Sequence, residues 1–558
     1  MSQDCDVLVI GSGAGGLATA VTAAFHGLRV VVAEKADLFG GTTAWSGGWM
    51  WVPRNPLAVA AGIVEDVEAP RSYLRHELGN QYDAAKVEAF LHAAPRMVDF
   101  FAGHTAVQFI AGNAIPDFHG DTPGAAKGGR SVCAAPFDGR VLGPLLHRLR
   151  PPLAELTLAG MGIASGEDLR RFMTATRSPR SALHAARRLA RHGWDRLRHG
   201  RGMHLVNGNA LAARLLKSAD DLGVALWESA PAARLLMQDG AVHGAVLRRG
   251  GTEVQVVARR GVVLACGGFP HEGNRIRALF PHAPDGAHFS AAPRGNTGDG
   301  LRLGEDAGGA VVRDFPDAGA WAPVSRVPHA DGSAGHFPHL VERGKPGVIG
   351  VTARGLRFTN EARAYHDMMR GLFAAVQPPE EVCCWLVCDH RFLRRYGLGF
   401  VKPAPLPIFP HLRSGYLHRG TTLAALAAAC GIDGAALEAT IARYNGPARQ
   451  GADPEFGRGS TPYERMQGDA GRCNAPIERA PFYAVKIVPG SLGTFAGLRT
   501  DAAARVLDAA GAPIPGLTAV GNDMASMMGG HYPSGGITLG PAMTFGWIAG
   551  RRLAGIET

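Results

Sequence analysis

Asp6-Val-Leu-Val-Ile10-Gly11-Ser-Gly13-Ala14-Gly15-Gly16 joins a short aliphatic run to a glycine-rich turn and then to the small-residue segment Leu17 to Phe25. An uninterrupted apolar run of this length reads as a strand buried on both faces of a parallel sheet. Gly11 permits a tight turn, Gly13 lets backbone N–H groups approach a pyrophosphate at a helix N-terminus, and Gly16 lets helix and strand pack closely. A second strand, Leu28 to Ala33, delivers Glu34 and then Lys35. An acid about 20 residues beyond the glycines suits the two hydroxyls of an adenosine ribose and repels a 2′-phosphate. Strand, glycines, helix, strand and acid in this order predict dinucleotide binding, with Gly11, Gly13, Ala14, Gly15, Gly16, Glu34 and Lys35 as contact candidates.

A second glycine-rich turn follows, with Gly40, Gly41, Thr42, Thr43, Ser46, Gly47 and Gly48. NAD does not need it, whereas the long ribityl chain and isoalloxazine ring of FAD do. Far along the chain, further apolar strands end in glycine: Val262 to Ala265 before Gly267-Gly268, and the strand before Gly521-Asn522-Asp523. Thr297-Gly298-Asp299 opens a helix, and Gly529 to Gly546, with Gly536, Thr538 and Leu539, is another glycine-rich loop entering a helix. Ligands of doubly wound sheets sit beyond strand C-termini, so these residues are expected to reach the same cofactor. The expected fold class is α/β: a discontinuous Rossmann-like FAD-binding domain, 1–315 and 488–558, holding an inserted α+β catalytic cap, 316–487.

At 558 residues the chain has room for about three units. Its 76 glycines, roughly twice the usual share, point to tightly turned backbone. No run approaches 18 apolar residues, and the N-terminus enters a strand without a basic-then-apolar leader, so a cytoplasmic location is expected. The eight cysteines show no metal or cluster spacing, and no metal site is expected. The net charge of +10 is local: Arg170 to Arg201 holds ten arginines against one acid, Asp195. Leu183, Ala186, Leu189, Ala190 and Leu197 recur there at helical spacing, which predicts an amphipathic, arginine-faced helical excursion at about 165–203. A solvated face is the simple reading; a membrane surface or a nucleic acid are the others.

Taken in order, Gly11 to Gly16, Glu34, Gly40 to Gly48, Thr297 to Gly300, Arg357-Phe-Thr-Asn360-Glu361, Gly497 to Asp501 and Gly521 to Gly546 resemble the flavoprotein subunits of fumarate reductase and succinate dehydrogenase. More closely they resemble the 3-ketosteroid Δ1-dehydrogenase branch. In the reductases the resemblance implies an Arg proton donor four residues after the Phe-x-Asn-Glu acid; Tyr365 occupies that position here, and in the ketosteroid dehydrogenases a Tyr there is the base. A phenol of ordinary pKa near 10 suits removal of a weakly acidic C–H proton if its site depresses that value. The branch's Tyr-Pro-x-x-Gly loop is matched by Tyr532-Pro533-Ser534-Gly535-Gly536. A phenol and a backbone N–H together form an oxyanion hole for a ketone becoming an enolate, with the β-hydride passing to flavin.

One departure stands out: where the branch carries a further Tyr after Pro-Asp, this chain has Pro116-Asp117-Phe118-His119. That widens the expected substrates to smaller cyclic ketones, with Phe118, His119 and His531 as pocket candidates. The loop Gly40 to Gly48 lacks the flavin-linking His of the respiratory members, so FAD is expected to be noncovalent; without haem or cluster motifs, electrons are expected to leave to a separate acceptor. The reading is thus FAD-dependent α,β-dehydrogenation of a cyclic ketone or steroid, without a nucleic-acid partner or transmembrane span, and with peripheral membrane contact left open. The alternatives are a fumarate-type ene reductase and a flavoprotein that binds tRNA through its arginines.

Overall fold

The computed structural model describes residues 2–556. The opening apolar run lies within the strand Ser2–Ile10, at the middle of a parallel sheet ordered Pro513–Ala519, Thr252–Leu264, Ser2–Ile10, Val30–Ala33 and Ala225–Trp227. Val7, Val9, Val32 and Val263 are fully buried, as residues of a two-sided parallel sheet must be. The hairpin Ala232–Gln238 and Ala241–Arg249 pairs antiparallel with the first half of Thr252–Leu264, and Arg505–Leu507 caps the far edge.

The two ends of the chain are locked together by packing that only glycine allows. Helix Ala14–Phe25 lies against the closing helix Leu539–Leu553. A Cβ on Gly546 would stand 2.6 Å from the Gly15 carbonyl oxygen, and one on Gly550 would stand 2.6 Å from Thr22 Cβ. The loop carrying Tyr532 precedes this closing helix, so its place follows from the first βα unit.

Between these ends the chain builds a second, antiparallel sheet ordered Ala334–Pro338, Gly319–Pro328, Phe482–Thr494, Cys384–Asp389 and Val348–Val351, with His418–Gly420 also paired to Phe482–Thr494. Entry and exit strands are neighbours, Gly319 opposite Thr494 and Val324 opposite Val488. The expected boundary at 487/488 falls inside the exit strand. Helix Tyr365–Ala375 packs on the entry strand. Its start is fixed by a charge cluster without exposure: Arg357 donates to Glu361 and Asp453, both at 2.8 Å, Arg458 donates to Glu361 at 3.3 Å, and the Gly350 N–H donates to Glu361 at 3.0 Å.

His119 bridges the two parts. Its Nδ1 meets Glu77, on helix Glu68–Leu78, at 2.5 Å, and its Nε2 meets Asp367, on helix Tyr365–Ala375, at 2.8 Å. Desolvation alone would lower the imidazole pKa, but hydrogen bonds to the two carboxylates raise it to about 10.

The basic excursion forms helices Glu167–Met173 and Pro179–His199. The helical period is as expected and Arg187, Arg191, Arg196 and Arg198 are exposed, but the apolar side is exposed with them. Polar residues, among them His192 and Asp195, are buried against the protein, while Leu183, Leu189, Trp194 and Leu197 are exposed. Periodicity defines two faces and leaves open which one meets the protein; here hydrogen bonds take the inward side. Among the described residues no helix is long and apolar enough to cross a membrane.

A histidine whose folded pKa lies above the unfolded value near 6.5 adds stability that is complete below that value and is lost as pH rises through about 10. His119→Gln is therefore expected to unfold more easily than the parent at pH 6, by on the order of 2 kcal/mol. The gap should close between about pH 7 and pH 10 in denaturant titrations; a gap independent of pH would contradict the bridge.

Candidate active site

The cofactor cradle begins where Ser2–Ile10 meets its helix. Gly11 has φ +111°, and a Cβ there would stand 2.1 Å from the Ala265 carbonyl oxygen; a Cβ on Gly16 would stand 2.2 Å from the Gly11 oxygen. Helix Ala14–Phe25 starts at Gly13 with no side-chain cap and no acid in its first turn, so the positive end of its dipole is left for a phosphate. At the end of Val30–Ala33, Glu34 accepts from Ser12 N–H at 3.1 Å, Ser12 Oγ at 2.6 Å and Ala36 N–H at 2.9 Å. Ser12 Oγ in turn accepts from Gly40 N–H at 3.0 Å, which ties Glu34 to the second glycine turn. Ser12 and Asn296 escaped the sequence reading. Asn296 donates to Thr42 and to the Gly267 oxygen, both at 3.1 Å; the only hint was a polar residue between glycine turns.

The remaining cradle candidates hold one another. Thr43 Oγ1 accepts from Ala14 N–H at 2.9 Å, and Lys35 donates to Thr297 at 2.9 Å and pairs with Asp299. Gly298, with φ +77°, caps the helix that Asp299 begins. Asp523 is fully buried; desolvation raises its pKa to about 6, and its carboxylate accepts from the N–H groups of Cys266 and Gly268. It thus fastens the glycine exit of one strand to the Gly521-Asn522 turn of the next. Gly41, Ser46, Gly47 and Gly48 form the turn opposite, where a Cβ on Gly48 would stand 2.5 Å from the Asn207 carbonyl carbon. An uncapped helix start, an acid at the end of the second strand and a bare-backbone trough fit FAD.

The two phenols converge from opposite parts of the chain. Tyr365 is the first residue of its cap helix and Tyr532 lies in the loop before the closing helix; both are buried, with ring centroids 4.9 Å apart at 76°. Each phenol acts on the ionisation of the other, and Thr538 acts on that of Tyr532. Phe118 stands beside both, 5.5 Å from Tyr365 and 5.9 Å from Tyr532. Its loop is pinned: Asp117 accepts from Trp51 Nε1 at 2.8 Å and from Arg130 at 2.7 Å, and Phe118 N–H donates to the Pro533 oxygen at 3.0 Å. Gly536 has φ +94°, and a Cβ there would come within 2.7 Å of the Trp49 oxygen and the Trp51 nitrogen. Leu539 opens the following helix.

His119, paired on both ring nitrogens, is a cation at neutral pH with no free site for a proton. His531 is half-buried with its pKa lowered by desolvation and by Arg370. His366, which accepts from Trp321 N–H at 3.1 Å and meets Asp317 at 3.1 Å, puts its ring 5.8 Å from Tyr532.

Two residues that sequence reasoning missed complete the cluster. Tyr463, on helix Pro462–Gln467, is buried with its ring 4.4 Å from Phe118, a third phenol close to the other two. Arg343 is 1% exposed; it donates to the carbonyl oxygens of His339 at 3.1 Å, Arg363 at 2.5 Å and Glu361, and its charge acts on Tyr463 and Tyr365. Desolvation pushes the Tyr365 phenol well above its ordinary value, with Tyr532 adding to the rise and Arg343 opposing it. Desolvation also pushes Tyr532 up to about 12. A neutral phenol pair beside one buried cation can hold a carbonyl oxygen and exchange a proton.

The family model described as FAD binding domain matches residues 6–539. The chain is 41% identical to 4-oxocyclohex-2-ene-1-carboxylate 5-dehydrogenase of Sinomonas cyclohexanicum, over 99% of this chain and 94% of that protein. It is 35% identical to the 3-oxosteroid 1-dehydrogenase of Mycobacterium tuberculosis (strain ATCC 25618 / H37Rv), over 99% and 98%. A crystal structure of the 3-ketosteroid Δ1-dehydrogenase from Sterolibacterium denitrificans with 1,4-androstadiene-3,17-dione superposes with a TM-score of 0.92 at 34% identity, covering 99% of this chain and all of that one. With its cradle and its matched length, this chain belongs to the FAD-binding domain family and is an FAD-dependent oxidoreductase.

Proposed function

We propose that the protein removes a proton and a hydride from neighbouring carbons of a cyclic ketone, leaving a conjugated enone. The observation that carries this reading is the meeting of Tyr365, at a helix start, and Tyr532, in a loop, with ring centroids 4.9 Å apart and anchored in different parts of the fold. The relatives named for acting on 3-oxosteroids and on oxocyclohexene carboxylates support it. FAD, held noncovalently, accepts the β-hydride when bound. Tyr532 and the Gly536 N–H hold the ketone oxygen, so negative charge moving onto that oxygen meets preset donors. Tyr365 takes the α-proton. To do so it must become phenolate in a buried site, and the fixed positive charge of Arg343 lowers that cost. Tyr463 supplies the third phenol that Phe118 lacks, positioned to pass the proton onward. An acceptor of another kind then takes the electrons.

The same geometry disfavours the reductive reading. A dicarboxylate would require cations around the reacting carbons, whereas the rings packed on Tyr365 are Phe118 and Tyr532, and Arg343, which acts on it, donates to backbone carbonyls.

Anaerobic mixing with a panel of 3-ketosteroids and monocyclic ketones is expected to bleach the flavin band. Tyr365→Phe should slow bleaching by about 10² or more, and Tyr532→Phe by about 10² to 10³, at unchanged flavin content. Full-rate bleaching by Tyr365→Phe would exclude it as base. Because the Tyr365 pKa is raised, log kcat/KM should climb with pH from neutral into the alkaline range. Arg343→Gln should displace that limb to higher pH and Arg343→Lys should largely restore it; a limb unmoved by Arg343→Gln would remove the arginine from the account.

A further inference from the structure

Lys402 stands where the cap meets the nucleotide-binding part, and no carboxylate holds it. Its ammonium lies over the rings of Phe337, on the edge strand Ala334–Pro338, and of Phe400, 5.3 and 5.6 Å from their centroids. From the nucleotide-binding part it meets the Glu155 carbonyl oxygen at 3.4 Å. The carboxylates on either side are taken by histidines: Glu155 meets His329 at 3.0 Å, and Glu342 meets His339 at 2.5 Å. Among the described residues none comes within ion-pair distance of Lys402. Half-buried between aromatic rings, the ammonium loses hydration, which lowers its pKa, and the charge of Glu342 opposes the fall.

Its place is fixed in advance. The turn from Leu398 to Val401 closes on itself at 2.9 Å, and a Cβ on Gly399 would stand 2.6 Å from His339 Cε1. His339 in turn bonds Ser325 at 2.7 Å, and Ser325 bonds Tyr416 at 2.7 Å. Two short segments tie this corner to the site. Phe337 lies two residues before His339, whose carbonyl oxygen accepts from Arg343, the cation that acts on Tyr365. Glu155 lies four residues after Pro151, whose oxygen accepts from Trp45 Nε1, in the second glycine turn, at 3.1 Å. Fully extended, these segments span at most about 7 and about 14 Å.

Other cations close to the phenols already have partners: Arg343 has carbonyl oxygens, His119 has Glu77 and Asp367, and Arg370 has Asp317 at 3.4 Å. A neutral ketone gains nothing from a desolvated ammonium, whereas a carboxylate supplies its missing partner in a charge-assisted hydrogen bond. We propose that Lys402 binds a carboxylate carried by the substrate at a distance from its ketone, so that the substrate is a cyclic keto acid. This rests on the dehydrogenation proposed above and adds to it the acid group and the residue that recognises it.

The test is anaerobic flavin bleaching by the holoenzyme at about pH 7 with two pairs of compounds, each an acid and its methyl ester. One acid is 4-oxocyclohexanecarboxylate and the other is a 3-ketosteroid with a side-chain carboxylate. In one pair or the other the acid is expected to bleach about 10- to 100-fold more efficiently than its ester, through a lower Kd rather than a faster limiting rate. The pair that shows this gives the size of the ring system. The acid-to-ester ratio should fall to about one in Lys402→Met and in Lys402→Gln, and Lys402→Arg should retain a preference for the acid. Taken within each variant, the ratio is insensitive to general damage to the fold. Equal bleaching by acid and ester in both pairs would overturn the inference and leave the dehydrogenation standing. So would an acid preference that survives in Lys402→Met and Lys402→Gln, or bleaching by a neutral ketone of the panel with none by these four compounds. Bleaching by no ketone at all would overturn the dehydrogenation itself, and this inference with it.

Discussion

Glu361 meets no water, and its charge is balanced wholly inside the inserted sheet domain by Arg357, Arg458 and the Gly350 amide. A carboxylate so placed would be prohibitively costly alone, so the strand Val348–Val351, the turn before the helix and the segment carrying Asp453 and Arg458 must meet around it. Tyr365 starts its helix four residues later. Its position is therefore settled by a buried charge cluster before any substrate arrives. The Phe-Thr-Asn-Glu motif owes its form to that demand: the acid is architectural, and the proposed base lies one helical turn on.

The partner phenol is placed by a different kind of constraint. Tyr532 hangs between backbone contacts too close for any side chain, Gly536 against Trp49 and Trp51 and, further on, Gly546 against Gly15. Tyr73 donates to the Pro533 oxygen at 2.6 Å and holds the loop from outside. Charge clamps on one side and glycine packing on the other leave the phenols little freedom, and Phe118 fills the space beside them. Water exclusion is what raises both phenol pKa values, and the buried Arg343 opposes the rise at Tyr365. On the proposed reading, the site is preorganised for charge that appears only during reaction.

Much of this was legible in the sequence. The nucleotide turn is readable because its glycines answer steric demands, and the place of Glu34 because the acid directly follows the second strand. Tyr365 and Tyr532 were readable through motifs whose spacing is set by a helix start and by a tight loop. Arg343 and Tyr463 were not: they sit in short helical turns without periodicity, and only the tertiary fold reveals that an arginine is buried. The same limit explains the basic helix, where spacing disclosed two faces and burial decided between them. His119, read in the sequence only as a pocket candidate, likewise proved to be a charged bridge between two parts of the fold.

The proton half of the chemistry can be isolated most directly by holding the enzyme's FAD reduced, so that no hydride can be accepted, and following exchange of the ketone's α-hydrogen for deuterium in D2O by NMR. The parent protein is expected to catalyse this exchange and Tyr365→Phe to lose it by about 10² or more, with Tyr532→Phe also impaired. Exchange at the parent rate in Tyr365→Phe would contradict the convergence of two phenols on one ketone as the source of the activity.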